Sequence, residues 1–308
     1  SQDVIERVTT TARSLGYRPN PLARGLKTQS SGNIGVFVPD LTNPMFPEIV
    51  RGAEAVLVDA GYTPILANTK NDRERKLMLV DHLKQRQIDG IIIITALRND
   101  PIIATCRENA IPVVVSDRGI GETELPGLII DDQYGMRSVV SHLVAFGHRR
   151  IALISGPQQL SPSISRHSAA LKAFHERNIE VDSNLITFCN DFSREAGHRA
   201  CRALLDRDRS FTAIITLSDI YAIGAIAELR DQGLSCPGDI SVTGYNGIRP
   251  TKWLSPSITT VDLPKREMGR RMAEIMLHRL KNPAGEVERI VIRPTLIERE
   301  SSGPVRHG

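Results

Sequence analysis

The groups with chemical potential in this 308-residue chain are scattered where catalysis would need them gathered. Four cysteines, Cys106, Cys189, Cys201 and Cys236, include no C-x-x-C pair and match neither a disulfide framework nor a zinc site. They read as reduced structural thiols. The eight histidines, among them His142 and His148, and His167 and His175, have no spacing that makes a ligand set. The sequence holds no G-x-S-x-G, no G-x-x-x-x-G-K-[ST], no H-E-x-x-H and no G-x-G-x-x-G after a strand pattern. An enzyme is therefore not expected, nor a bound metal, nor a cofactor. Charge, by contrast, does gather. Residues 1–30 carry Arg7, Arg13, Arg18, Arg24 and Lys27 against Asp3 and Glu6, and so hold three of the chain's four net positive charges. That concentration suits contact with phosphates.

The elements that position the rest follow from periodicity. Apolar β-branched runs at Ile34–Val38, Thr63–Ala67, Gly90–Thr95 and Pro112–Ser116 recur at Ile151–Ser155, Ile186–Cys189, Ala213–Thr216 and Ile240–Thr243, alternating with helical patterns. Alternation of this kind specifies parallel sheets with helices on both faces. Phe46, Ile49, Val50, Ala53, Val56, Leu57 and Ala60 mark one apolar helix face ended by Gly61. A second helix is expected near Asp72 to Gln85, with Leu77, Val80, Leu83 and Lys84 in rhythm and Asp72 as its cap. After a helix over Tyr134 to Phe146 the order repeats, so the length is filled by two similar α/β lobes. Such sheets bind ligands beyond the carboxyl ends of their strands. Binding residues are therefore expected in the loops 39–44, 68–72, 95–99, 116–119, 156–165, 218–221 and 244–249. No apolar run approaches the ~20 residues of a membrane span. No basic segment followed by an apolar one opens the chain, so a cytoplasmic location is expected.

The first thirty residues differ. Asp3 to Leu15 reads as a short helix with Val4, Ile5, Val8, Ala12 and Leu15 on one face, stopped by Gly16. Prolines 19 and 21 then allow a second helix over Pro21–Lys27, which leads into a polar linker.

The strings Leu15-Gly16-Tyr17-Arg18-Pro19-Asn20-Pro21-Leu22-Ala23-Arg24, Asn43-Pro44-Met45-Phe46, Gln87-Ile88-Asp89-Gly90, Gly147-His148-Arg149-Arg150, Asp239-Ile240-Ser241-Val242 and Pro256-Ser257-Ile258-Thr259-Thr260-Val261, in this order and spacing, resemble the lactose-repressor (LacI/GalR) family. The resemblance spans the chain. It implies a cytoplasmic, homodimeric repressor that binds operator DNA, with two lobes of the periplasmic-binding-protein-like type I fold behind a short helical remnant of a helix-turn-helix headpiece. It places residues 1–18 in the headpiece, as its third helix, with the base-reading helices lying outside this sequence. Residues 19–32 become a hinge helix and linker. The first lobe is expected over 33–130 plus 262–290, and the second over 131–261 plus 291–308. In the hinge, Leu26 matches the family's minor-groove wedge, Ala23 permits close approach, and Arg24 and Lys27 reach phosphates.

For the core, the resemblance implies an effector pocket walled by Met45 and Phe46, with Asp117 accepting from ligand hydroxyls, Arg166 as a fork of donors, Phe192 as a stacking aromatic, and Ser218 facing the ligand while Asp219 caps a helix. One departure stands out. Gly244-Tyr245-Asn246 replaces the family's usual Gly-Tyr-Asp, which takes a negative charge from beside Arg166 and makes a sugar acid or phosphorylated sugar more admissible than usual. A neutral sugar, or less readily a purine, completes the expected effectors. Occupancy would shift the two lobes and hence operator affinity. The rival reading is a sugar-binding protein of a transport system, which shares the lobes and pocket; the headpiece remnant and the lack of a leader speak against it.

Overall fold

The computed structural model describes residues 30–95, 100–116 and 125–305, with positions 3, 4, 7, 10, 11 and 14. Those six early positions are helical and exposed, Val4 at 58%. The expected hinge helix, with Ala23, Arg24, Leu26 and Lys27, and the strand-end Asp117, lie outside the described residues.

Two six-stranded sheets organise the chain. The first runs β11-β5-β4-β3-β1-β2 and is parallel throughout, built from β1 (Asn33–Val38), β2 (Thr63–Asn68), β3 (Gly90–Ile94), β4 (Val113–Ser116), β5 (Gly127–Ile130) and β11 (Arg289–Ile292). The second runs β12-β10-β9-β8-β6-β7, built from β6 (Ile151–Ser155), β7 (Ile186–Phe188), β8 (Ala213–Thr216), β9 (Ser241–Asn246), β10 (Thr259–Asp262) and β12 (Thr295–Ile297). Only β12 is antiparallel there. Strands buried on both faces need unbroken apolar runs, and β3, with every residue buried, has one. In each sheet the strand order reverses beside the lobe's first strand, β1 or β6, which puts the ligand crevice of such a fold outside the carboxyl ends of β1 and β3 in one lobe and β6 and β8 in the other.

The helices are α1 (Met45–Asp59), α2 (Arg73–Gln85), α3 (Pro101–Glu108), α4 (Asp132–Ala145), α5 (Ser161–Glu176), α6 (Arg194–Arg207), α7 (Asp219–Asp231) and α8 (Lys265–Lys281). Asp72 does cap α2, accepting from Arg75 N at 2.6 Å. The buried face of α2 departs from expectation: Lys84 is exposed, and Lys76 is buried against Asp100. Helices α1 and α8 pack so closely that a Cβ on Gly269 would stand 1.9 Å from Ile49 O and one on Gly52 2.0 Å from Arg266 O.

The chain passes between lobes after β5, after β10 and after β11. Because β11 extends the first sheet beside β5, Val291 and Ile292 belong to the first lobe, not the second, and Asp262, paired in β10, belongs to the second. Where the chain enters the first lobe, the Asp89 carboxylate accepts from Ser30 Oγ at 2.8 Å, Ser31 N at 2.9 Å and Gly32 N at 2.7 Å. No helix among the described residues is long and apolar enough to cross a membrane.

Candidate functional site

A cleft of about 500 Å³, counting space open to solvent, lies between the lobes at the carboxyl ends of their strands. Pro39, Asp40, Asn43, Met45, Phe46, Asn71 and Thr95 line it from the first lobe, and Leu160, Pro162, Arg166, Phe192 and Asn246 from the second. Asn43 sets one wall: its Oδ1 accepts from Met45 N at 3.1 Å and its carbonyl from Phe46 N, which fixes the start of α1 and both side chains there. Phe192 stacks on Tyr221 at 5.3 Å, nearly coplanar at 8°.

Three lining residues hold left-handed backbone, Asn71 at φ 55°, Thr95 at 74° and Asn246 at 108°. For a β-branched threonine this is a genuine outlier. Such positions cost about 1–3 kcal/mol each and gather where a site must aim its side chains.

Arg166 is 2% exposed and its guanidinium is already engaged. Nε donates to Asp132 Oδ1 at 3.2 Å, Nη1 donates to Leu217 O at 3.0 Å, and the plane lies 4.0 Å from the centre of the Tyr245 ring. Tyr245 Oη donates to the same Asp132 oxygen at 2.7 Å, and burial together with that carboxylate raises the phenol well above its ordinary value. This arrangement corrects the inference drawn from Asn246: the negative charge that Asn246 lacks is supplied by Asp132, so Arg166 is not a bare cation awaiting an anion. Asp40 adds a carboxylate, held by Thr42 N at 2.9 Å and Thr42 Oγ1 at 2.8 Å. Among the described residues, the lining with Asp132 behind it thus carries two carboxylates against one guanidinium.

Among the described residues, three acceptors at the cleft lack a partner. Asn71 Oδ1, Asn246 Oδ1 and Asp132 Oδ2 are buried without a hydrogen-bond partner. Each orphaned group costs about 1–3 kcal/mol unless a ligand or water supplies a donor.

Of the residues singled out from the sequence, Met45, Phe46, Arg166, Phe192 and Asn246 therefore meet in one cleft. Ser218 does not. It is fully buried as the N-cap of α7, its Oγ accepting from Ile220 N at 3.4 Å, so Ser218 takes the capping role expected of Asp219 and neither residue lines the cleft. Asp219 instead accepts from Ile248 N at 2.7 Å and from Thr260 Oγ1, bracing the loop after β9. Asp40, Asn43, Asn71, Thr95 and Asp132 were not singled out, although all but Asp132 lie in or beside loops already marked as strand ends.

Burial pushes the Asp219 carboxyl up to about 7, against the opposing pull of Thr260, Ile248, Lys265 and Arg299. The unfolded chain releases this proton near 3.8 and the folded chain near 7, so the stability Asp219 contributes falls as pH rises between those values and levels off above them. Denaturant melts across that window should show this slope in the wild type and a flatter one in Asp219→Asn; equal slopes would contradict it.

Elsewhere, burial raises all four thiols to about 12, consistent with inert structural cysteines. His198, Glu228 and Asp231 converge, but Arg202 holds both Glu228 oxygens, at 2.9 and 3.2 Å, so the group forms an ion-pair network.

Comparison with known proteins agrees with this architecture. A family model described as a periplasmic binding protein-like domain matches residues 140–302. The HTH-type transcriptional repressor PurR of Klebsiella pneumoniae subsp. pneumoniae is 31% identical over 303 residues, 98% of this chain and 89% of that protein. PurR of Escherichia coli O139:H28 is 31% identical over 310 residues, 99% of this chain and 91% of the relative. Among solved structures, the transcriptional regulator CelR in complex with cellobiose superposes with a TM-score of 0.83 at 28% identity, covering 98% of this chain and 91% of its own. A LacI-family regulator from Enterococcus faecium with bound ribose gives 0.79 at 30% identity, covering 89% and 100%. These relatives are transcriptional regulators, not enzymes or transport proteins, and those that align from end to end include the basic first thirty residues. The chain belongs to the LacI/GalR family of transcriptional regulators, and its two lobes are that family's periplasmic-binding-protein-like effector domain.

Proposed function

We propose that the cleft binds a small, neutral molecule rich in hydrogen-bond donors, a sugar, and that its occupancy sets the affinity of a homodimeric, cytoplasmic repressor for operator DNA. The observation that carries the ligand class is the surplus of buried acceptors beside an arginine already neutralised by Asp132. Sugar hydroxyls both donate and accept. The carboxylate of a sugar acid or the phosphate of a sugar phosphate mainly accepts at neutral pH and would meet the Asp40 and Asp132 carboxylates, leaving only the remaining hydroxyls to serve the orphaned oxygens. Ligands that neighbours carry, cellobiose on CelR and ribose on the Enterococcus faecium regulator, are of the class favoured here. In this reading Met45, Phe46 and Phe192 pack on the sugar's apolar faces, Asn71 and Asn246 accept from its hydroxyls, and Asp117 joins them from the loop after β4.

The DNA side follows from the family. Ala23, Arg24, Leu26 and Lys27 would form the hinge contact, and a two-fold operator calls for a two-fold protein. The ligand's differential affinity for two lobe arrangements would move the hinges.

A thermal-shift series tests the ligand class, using D-ribose, cellobiose, gluconate, glucose 6-phosphate and hypoxanthine. A ligand at 100 times its Kd stabilises the folded state by about 2.7 kcal/mol, well within detection. A neutral sugar should raise the melting temperature in the wild type and less in Asn246→Ala. Stabilisation by gluconate or the phosphate alone would overturn the reading, and stabilisation by hypoxanthine alone would replace the sugar with a base.

A further inference from the structure

Lys265 is the first residue of α8, a position where the helix dipole favours an anion. It is also buried, at 9% exposure. A lysine placed against the local field and out of water needs compensation, and Lys265 finds it in two separate stretches of chain. Its Nζ donates to Asn246 O at 2.7 Å and Gly247 O at 2.8 Å, and to Asp262 Oδ1 at 2.7 Å and Leu263 O at 2.9 Å. The first pair belongs to the cleft wall of the second lobe; the second pair is the segment by which the chain crosses to the first lobe.

We propose that Lys265 is a positioning residue for the cleft: it holds the left-handed backbone that aims Asn246, and ties that backbone to the lobe crossing. This rests on the cleft being a ligand site. The backbone concerned does not hold itself. Asn246 sits at φ 108° and Gly247 at 61°, and a Cβ on Gly247 would lie 2.0 Å from Asp262 Oδ1, so the loop is pressed against the crossing with no room to adjust. One ammonium bridges carbonyls on one side and a carboxylate and carbonyl on the other. On its far side, Lys265 begins the helix whose Gly269 and whose Arg266 carbonyl meet α1 in direct backbone contact, and α1 opens with Met45 and Phe46. A continuous path of close contacts therefore joins the two walls of the cleft through Lys265, and a change of the lobe angle at the crossing moves Asn246 with it.

The test compares wild type with Lys265→Met and Lys265→Arg, and uses Leu229→Ala, a buried residue of α7 remote from the crossing, as a destabilised control. Two readouts are taken: hydrogen exchange of backbone amides over 244–250 without ligand, and affinity for D-ribose and cellobiose. In Lys265→Met, exchange over 244–250 should accelerate, and affinity for whichever sugar binds the wild type should fall, each by roughly tenfold, the scale of one charge-assisted hydrogen bond. Lys265→Arg should recover much of both, and Leu229→Ala should lower the melting temperature while changing neither. Unchanged exchange over 244–250 in Lys265→Met overturns the proposal, as does wild-type affinity in that variant. If neither sugar binds the wild type, the ligand class proposed above fails, and the exchange readout still decides whether Lys265 holds the loop.

Discussion

Arg166→Ala should abolish ligand binding and destabilise the folded protein by about 3–5 kcal/mol, the range for removing one member of a buried ion pair. Among the described residues, the guanidinium is the cation paired with Asp132, whose side chain is 1% exposed. Its removal leaves a carboxylate in a dry interior with Tyr245 Oη as its donor, and strips Tyr245 of the cation on its face. Most of the penalty should come from that stranded charge rather than from lost packing. Asp132→Asn in the Arg166→Ala background should therefore recover a large part of the stability but none of the binding. A urea-denaturation cycle over the four proteins measures the coupling. Additive single losses would show that the two side chains act independently and would contradict this account.

Lys76→Met should cost a similar ~3–5 kcal/mol for the same physical reason at a different place. Lys76 is 1% exposed at its side chain and pairs with Asp100, whose side chain is fully buried. Asp100 also caps α3, its Oδ1 accepting from Ile102 N at 3.3 Å. Methionine fills the space of the lysine stem but leaves the carboxylate without its ammonium. The pair joins the first turn of α2 to the cap of α3, the helices that follow Asn71 and Thr95 in the chain, so weaker ligand binding should accompany the loss of stability. Asp100→Asn combined with Lys76→Met keeps the cap and removes the carboxylate's charge, and should be more stable than Lys76→Met alone. A Lys76→Met protein that melts like the wild type would show that the ion pair contributes little.

How far the sequence reached depended on how local the signal was. The eight strands with apolar runs, the α1 face and the Asp72 cap follow from residues adjacent in the chain. The strands β5, β10, β11 and β12 are three or four residues long, as are β4, β7 and β8, but β5 follows Pro126 and begins at Gly127, β10 opens on two threonines and ends on Asp262, and β11 and β12 open on Arg289 and Thr295, so no strand-long apolar run marks them. Missing β5 hid Asp132, which lies just beyond its carboxyl end where a ligand-site residue would be sought. Ser218 and Asp219 are both good capping types one residue apart, and what separates them is the loop after β9, which draws Asp219 inward. Lys76 reads as a surface residue on any helical wheel until Asp100, 24 positions later, is brought beneath it. The Asp132–Arg166 pairing is likewise a tertiary fact, and it removes the ground on which Asn246 pointed to an anionic ligand.

The clamp of Asp89 on residues 30–32 bears on how the lobes can signal. Three hydrogen bonds to one carboxylate, which sits at the entrance to β3, fix the start of the described core in the frame of the first lobe. The described chain thus starts on a mount fixed to one lobe, and rotation of the second lobe against the first would turn that mount. In the homodimer proposed above, two copies of the chain would read such a rotation as a change in the separation of their mounts, and the output of the device would be a distance.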